Sequence, residues 1–359
     1  MSKVFSTEHT RVLQEVIREI ETDPSDYPGA KYMPSVDMPT SSIFVDVLEA
    51  RGGLVKEHAL GSDPRMGSRR QFRTQQFAPG YYKEVIRFNE GDILKLRELG
   101  QNDQSKRGIR MHLNENALVL NNKIEARMEL LRWQAIFNGT YVYDGKTVDF
   151  GKPAANNVVP TIPWGTFVGP VFTVNPAATP VQDVRYWVMG GYAPFRKYKI
   201  TKMLMNKNTA RVFLDNPNVQ SLIQNRFAAE TYKMHDINEV LQFLVPGCPP
   251  VEMYDAWYQN ESEDPVTGLI TVGDAIYFVP DGRVFFECKL PDGNKVGDVA
   301  LTLNLSNGSV DAPAVGKFII VDEHIQDRPG NPYIDVIGGF YGGPRLKRAF
   351  DVLTANVAA

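Results

Sequence analysis

The sequence predicts an α+β fold, and three observations carry that reading. One long, uninterrupted helical pattern runs through the middle of the chain. Short alternating β-type runs lie on both sides of it, and the stretch 181–330 mixes short helical and strand patterns without a repeat. The long pattern is Leu113 to Asn138, where Ala117, Leu120, Ile124, Met128, Leu131 and Ala135 recur at steps of three and four and so share one face. Leu118, Leu130, Ile136 and Phe137 widen that stripe, and Asn121, Asn122, Lys123, Glu125, Glu129 and Arg132 are assigned to its solvent side. Asn114 is the expected N-cap, Glu115 suits the first turn, and Asn138-Gly139 is the stop. At about 1.5 Å per residue the helix 114–138 spans roughly 37 Å, the width of a small domain. It is a scaffold and carries nothing resembling a reaction centre.

Before the helix, residues 4–21 form a short amphipathic helical pattern, with Val4, Leu13, Val16, Ile17 and Ile20 among Glu15, Arg18, Glu19 and Glu21. Pro24, Pro28, Pro34 and Pro39 with Gly29 follow. That density forbids a helix interior or a central strand. An extended arm that needs another surface to lie on is expected there. Ile43 to Leu48 reads as a strand. QFRTQQF (71–77) and YYKEVIRF (81–88) both alternate, and Ala78-Pro79-Gly80 between them suggests a wide hairpin or loop. Such a ribbon buries little of its own and is expected to rest on a neighbouring subunit.

After the helix, Asp144-Gly145 between two alternating runs signals a tight hairpin. Residues 151–180 carry six prolines, from Pro153 to Pro180, and mark a subdomain boundary. Beyond it, helices are expected at 181–189, 208–214, 218–227 and 237–243. Strands are expected at 200–205, 251–258, 275–279 and 284–287, then at 318–321, 333–341 and 349–357, with the tail returning to the sheet near the long helix.

The 359 residues suffice for two or three subdomains, and 43% hydrophobic with 23% charged residues is ordinary globular composition. A net charge of −3 disfavours a dedicated nucleic-acid binder, though not proximity to nucleic acid. The two cysteines, Cys248 and Cys288, have no metal-type spacing and read as buried thiols of a reducing compartment. No leader or membrane-spanning run is read, so the cytoplasm, or something assembled there, is the expected setting.

Chemistry-bearing patterns are lacking. Gly338-Gly339 and Gly342-Gly343 lead to Pro344 and read as a turn or bulge, not a phosphate loop. The histidines His9, His58, His112, His235 and His324 are scattered, no Gly-x-Ser-x-Gly elbow occurs, and Asp322-Glu323-His324 reads as a solvated strand end. The basic run Arg65, Arg69, Arg70, Arg73 has two readings. One is phosphate contact. The favoured one is pairing between subunits with carboxylates such as Glu84, Glu90 and Asp92, for which arginine offers a rigid fork.

With these pieces assembled, the chain resembles the tailed-bacteriophage major capsid proteins of the lambda capsid-protein E family. The segment RRQFRTQQFAPGYYKEVIRFNEGDILKLRE (69–98), with its Phe77-Ala78-Pro79-Gly80-Tyr81 step, resembles the family's extended loop. The helix 114–137, Gly139-Thr140-Tyr141 and the hairpin through Phe150 resemble its spine helix and following strands. The resemblance implies an HK97-like capsid fold. Its parts would be an N-terminal arm (1–48), an extended loop (49–105), a peripheral domain (106–180 and 331–359) with the spine helix 114–138, and a mixed axial domain (181–330).

It further implies a structural subunit of the virion that self-assembles into hexamers and pentamers of an icosahedral head around double-stranded DNA. Portal, scaffold and decoration proteins are the implied partners, with non-specific proximity to packaged DNA and no membrane. Some relatives join shells by a Lys–Asn isopeptide bond, for which Lys83 is a candidate lysine, whereas lambda-type shells are reinforced by a decoration protein. No catalytic, cofactor or metal site is expected. The residues expected at contacts between subunits are Arg65, Arg69, Arg70, Arg73, Phe77, Pro79, Tyr81, Tyr82 and Glu84. The alternative from a different class is a cytoplasmic hydrolase using the 181–330 domain, centred on Cys248 or His324.

Overall fold

The computed structural model describes residues 27–48, 72–95, 106–168, 171–189, 191–226, 236–263, 270–290, 293–304, 314–324 and 333–358. The chain opens with α1 (Gly29–Tyr32), β1 (Ser35–Asp37), β2 (Ile43–Leu48), β3 (Phe72–Phe77), β4 (Gly80–Asn89) and α2 (Glu90–Lys95), and then enters the long helix α3 (Lys106–Asn138). Next come β5 (Thr140–Tyr143), β6 (Lys146–Asp149), β7 (Asn157–Val158), β8 (Gly165–Val168), β9 (Val171–Val174), α4 (Pro180–Val188), β10 (Ile200–Met205), α5 (Lys207–Leu214), α6 (Pro217–Arg226) and α7 (Ile237–Leu244). The rest is strand: β11 (Val251–Met253), β12 (Trp257–Glu263), β13 (Ile270–Tyr277), β14 (Arg283–Cys288), β15 (Asp298–Leu301), β16 (Leu303–Asn304), β17 (Ala314–Val315), β18 (Phe318–Glu323), β19 (Tyr333–Arg345) and β20 (Leu353–Asn356).

Two sheets organise the molecule. In the first, the long strand β19 is central. β18 and then β15 pair along one edge, β4 pairs along the other from Asn89–Tyr333 to Gly80–Gly342, and β1 adds in parallel to β15. Helix α3 covers one face, burying Leu120, Ile124 and Leu131 with Ile319, Val336 and Phe340. The second sheet runs β11-β10-β14-β20-β7. Met203, Met205, Val284 and Phe286 pack among α4, α5, α6 and α7, while Leu204 and Phe285 face the core built on α3. Burial on both faces explains why these strands read as unbroken apolar runs.

Helix α3 is longer than expected. It begins at Lys106, so Asn114 lies within it and caps nothing. Its end is as expected: Gly139 takes φ +68° and its N–H donates to the Ala135 carbonyl at 2.9 Å. The amine of Lys152 covers the next carbonyls, of Ile136 at 2.9 Å and Phe137 at 3.1 Å, and burial lowers its pKa to about 7. The Asp144-Gly145 hairpin forms as read, joining β5 and β6 with both turn residues at positive φ.

Four expectations are corrected. The prolines of residues 27–39 do not mark a segment awaiting another surface, because Tyr32 and Met33 are fully buried in the subunit's own core and β1 joins its own sheet. QFRTQQF and YYKEVIRF are not two arms of one hairpin. β3 pairs with β2 and β4 pairs with β19, so Ala78-Pro79 is a crossing between sheets. The nearer partner lost to a longer, more apolar one. The glycines at 338–339 and 342–343 lie inside β19 and form no turn. A side chain on Gly339 would meet the Tyr82 carbonyl at 2.3 Å, so glycine there admits a neighbouring backbone. Finally, the tail divides: β19 joins the sheet under α3, as expected, but β20 joins the second sheet, while β15 and β18 from within 181–330 belong to the first.

Candidate assembly surface

The described surface beside α3 is built from β4, the exposed side of the helix and β12. Along β4, Tyr82, Ile86 and Phe88 point toward α3 and pack against the core. Tyr82 stacks on Phe340 with ring centres 4.9 Å apart, meets the Tyr141 hydroxyl at 3.1 Å, and carries the Arg127 guanidinium over its other face. Alternate residues take the opposite face of the sheet. Tyr81 stands edge-on to Tyr341 at 4.7 Å and remains 56% exposed, Val85 is exposed, and Arg87 grips Asp335 with two bonds of 2.8 Å. Lys123 of α3 ties the strands together, pairing with Glu84 of β4 and, at 2.8 Å, with Glu261 of β12. These contacts and the exposed Trp257 and Val119 enclose a groove of about 660 Å³.

The residues expected at contacts between subunits are thus partly dispersed. Arg65, Arg69 and Arg70 lie outside the described residues. Arg73 is exposed on β3, opposite Val47. Phe77 is half-buried against Tyr141 and Phe150, and Pro79 is buried within the subunit. Tyr81, Tyr82 and Glu84 share β4, and the partner of Glu84 is Lys123 of its own chain.

Sequence reasoning missed the polar cluster that holds this scaffold. Glu129 and Arg132, assigned to the wet side of the helix, are fully buried. Oε1 of Glu129 accepts from the Gly29 N–H (2.9 Å), the Trp133 indole (2.7 Å) and the Tyr254 hydroxyl (3.1 Å), while Oε2 faces Arg132 at 3.2 Å. Arg132 donates onward to the Met33 carbonyl and the Ser35 hydroxyl. Burial and the Glu129 charge together push the Tyr254 hydroxyl far above its ordinary range. The signal was present in Glu129 and Arg132, opposite charges three residues apart, but such a pair also fits an exposed face.

A second cluster ties α1 to β14. Glu287 accepts from Lys31 (2.9 Å), the Tyr32 hydroxyl (2.7 Å) and Asn294 (2.6 Å). Burial acts to raise its pKa, but the Lys31 ammonium and the Tyr32 hydroxyl outweigh that and hold it below the ordinary value. A depressed carboxylate stabilises the fold above its unfolded pKa, near 4.5, and that contribution is lost as pH falls through the lower folded value. Glu287→Gln is expected to cost about 2 kcal/mol at pH 7 by urea denaturation. Its deficit against the parent should shrink below pH 4.5; a deficit independent of pH would contradict the assignment.

No reaction centre emerges from the groups proposed for one. Burial raises the thiols of Cys248 to about 11 and Cys288 to about 12, which leaves both protonated and poor nucleophiles. His235 lies outside the described residues, and His324 sits at the end of β18 beside Asp322 (3.2 Å). Among the described residues there is no cluster of metal-ligating side chains, and no helix is long and apolar enough to cross a membrane.

The family model described as phage major capsid protein E matches residues 9–301. The chain belongs to this family. This capsid protein is therefore a structural component of a phage virion shell and not an enzyme, and the hydrolase alternative has no support. No curated protein matches the chain. Among solved structures it is similar to a prophage protein of E. coli CFT073 assigned as a capsid protein, at 14% identity and a TM-score of 0.57, covering 97% of this chain and 99% of that one. It is also similar to a phage-related protein of Bordetella bronchiseptica RB50 (11% identity, TM-score 0.47, 97% and 96% covered). A third is the capsid of a native GTA particle (10% identity, TM-score 0.45, 95% and 93% covered). At these identities the first likeness establishes the fold, which is HK97-like.

Proposed function

We propose that this capsid protein assembles into hexamers and pentamers that close an icosahedral head around double-stranded phage DNA. The observation that carries this reading is the set of large apolar side chains left exposed on a well-packed subunit: Tyr81 and Val85 on the edge strand β4, Val119 on α3, and Trp257, Val272 and Ile276 on the β12–β13 ribbon. Exposed apolar surface of this kind on a subunit of a shell-forming family is surface for sister copies. Residues 1–48 lead in as the arm and 49–105 as the extended loop. The peripheral domain is α3 with the first sheet, which takes β15 and β18 from within 181–330, and the axial domain is the second sheet with its helices, which takes β7 and β20 from outside 181–330. Arg65, Arg69, Arg70, Arg73, Phe77, Tyr81, Tyr82 and Glu84 belong to the contacts between subunits, whereas Pro79 is enclosed by its own subunit. Portal, scaffold and decoration proteins complete the head.

The test is sedimentation and electron microscopy of the expressed chain. Shell-sized particles are expected, and a strictly monomeric species under all assembly conditions would sink the proposal. Tyr81→Ala separates assembly from folding. Its edge-on contact with Tyr341 is worth about 1 kcal/mol, so the melting temperature should shift by only a few degrees. The yield of shells should fall sharply, and unchanged yield would remove Tyr81 from the contact.

A further inference from the structure

The chain is acidic overall, yet one face is cationic. It forms where β10 and β14 end together. The Lys289 N–H donates to the Lys199 carbonyl at 2.9 Å, one step beyond the Ile200–Cys288 pair, so two lysines stand side by side on neighbouring strands. Like charges in that relation repel and destabilise a sheet. Arg196 and Lys197 precede them in a short 3-10 turn, and Lys295 follows on the turn that contains Asn294. Lys197, Lys199, Lys289 and Lys295 are all exposed.

Among the described residues, the carboxylates of this region do not compensate them. Glu287, Asp298 and Asp351 are buried and already engaged: Glu287 by Lys31 and Tyr32, Asp298 by Arg345 and Lys347, Asp351 by Tyr198 and Arg348. Glu252 is exposed but pairs with Lys202 at 2.6 Å. Among the described residues Lys197, Lys199, Lys289 and Lys295 make no ion pair. Among the described residues, three of these four carboxylates are drawn inward and the four lysines are left outside.

We propose that this face contacts the phosphate backbone of duplex nucleic acid without regard to sequence. The proposal rests on the shell reading above, since a phage head encloses such a polymer. A set of exposed lysines without carboxylate partners is charge-complementary to a polyanion, and contacts of this kind to a phosphate backbone carry no sequence information.

The experiment uses the full-length chain as unassembled subunits and a fluorescent 20-base-pair duplex of random sequence, read by anisotropy across a salt series. Binding should weaken with salt with a log–log slope of roughly −3 to −4, as ~0.9 per neutralised phosphate predicts for four contacts. The variant Lys197→Ala/Lys199→Ala/Lys289→Ala/Lys295→Ala should bind roughly tenfold or more weakly and flatten that slope. Lys146→Ala/Lys207→Ala, which removes exposed lysines elsewhere, should bind as the parent does. Equal binding by the quadruple variant, a parental slope near zero, or equally effective competition by polyglutamate at matched charge would each overturn the proposal. Particle formation by the same preparations is scored separately. Failure of the parent to form shells counts against the shell reading alone, and loss of duplex binding with shells intact counts for this face alone.

Discussion

Replacing Glu129 with alanine should cost the subunit about 3–5 kcal/mol, the largest single-residue loss expected in this protein. Three donors, the Gly29 amide, the Trp133 indole and the Tyr254 hydroxyl, lose their acceptor, and Arg132 becomes a buried cation without its counter-charge. Glu129→Gln keeps the acceptor at Oε1 but removes the charge and turns an NH2 donor toward Arg132, so a loss of about 2 kcal/mol is expected from it. Urea denaturation followed by circular dichroism ranks the three proteins. An alanine variant within about 0.5 kcal/mol of the parent would show that the cluster adds nothing to stability. The effect should also reach the entry of the chain, because α1 and the Met33 carbonyl are held to α3 through these same two side chains.

Replacing residues 49–71 with a two-residue Asn-Gly connection should abolish shells while leaving the subunit folded. Leu48 already pairs with Phe72 at the end of the β2–β3 ladder, so a tight turn closes these strands without shifting their register. Ile43, Val45 and Val47 remain buried on one side of that ribbon, and the Asp46–Thr74 bond of 2.6 Å is untouched. The melting temperature should change little, and negative-stain microscopy should show subunits or small oligomers. Shells of normal size from this variant would remove residues 49–71 from assembly.

Much of the scaffold was legible because its signals are local. The long helix announced itself through apolar residues at helical spacing, Gly139 through its place after the last turn, and the β5–β6 hairpin through Asp144-Gly145. The helices of 181–330 were legible for the same reason. What misled was any feature whose meaning depends on a distant partner. Glu129 and Arg132 look solvated in the sequence, and are buried because Gly29, Trp133 and Tyr254 supply their hydrogen bonds. Gly338 to Gly343 looks like a turn, and is strand because β4 and β15 approach β19 too closely for side chains. Of the residues expected at the subunit contacts, Tyr81 and Arg73 keep exposed surface, whereas Pro79 is taken up by the subunit's own interior.

By itself, the sequence determined that this chain folds as helix and strand together and that one long rod runs through it. Those properties follow from spacing and residue chemistry within a few turns of chain. Only the tertiary structure decided which strands pair, that the proline-bearing entry packs on its own subunit, and which charges turn inward. Strand pairing and charge burial are settled by competition among segments a hundred or more residues apart, and a local pattern carries no record of which competitor wins.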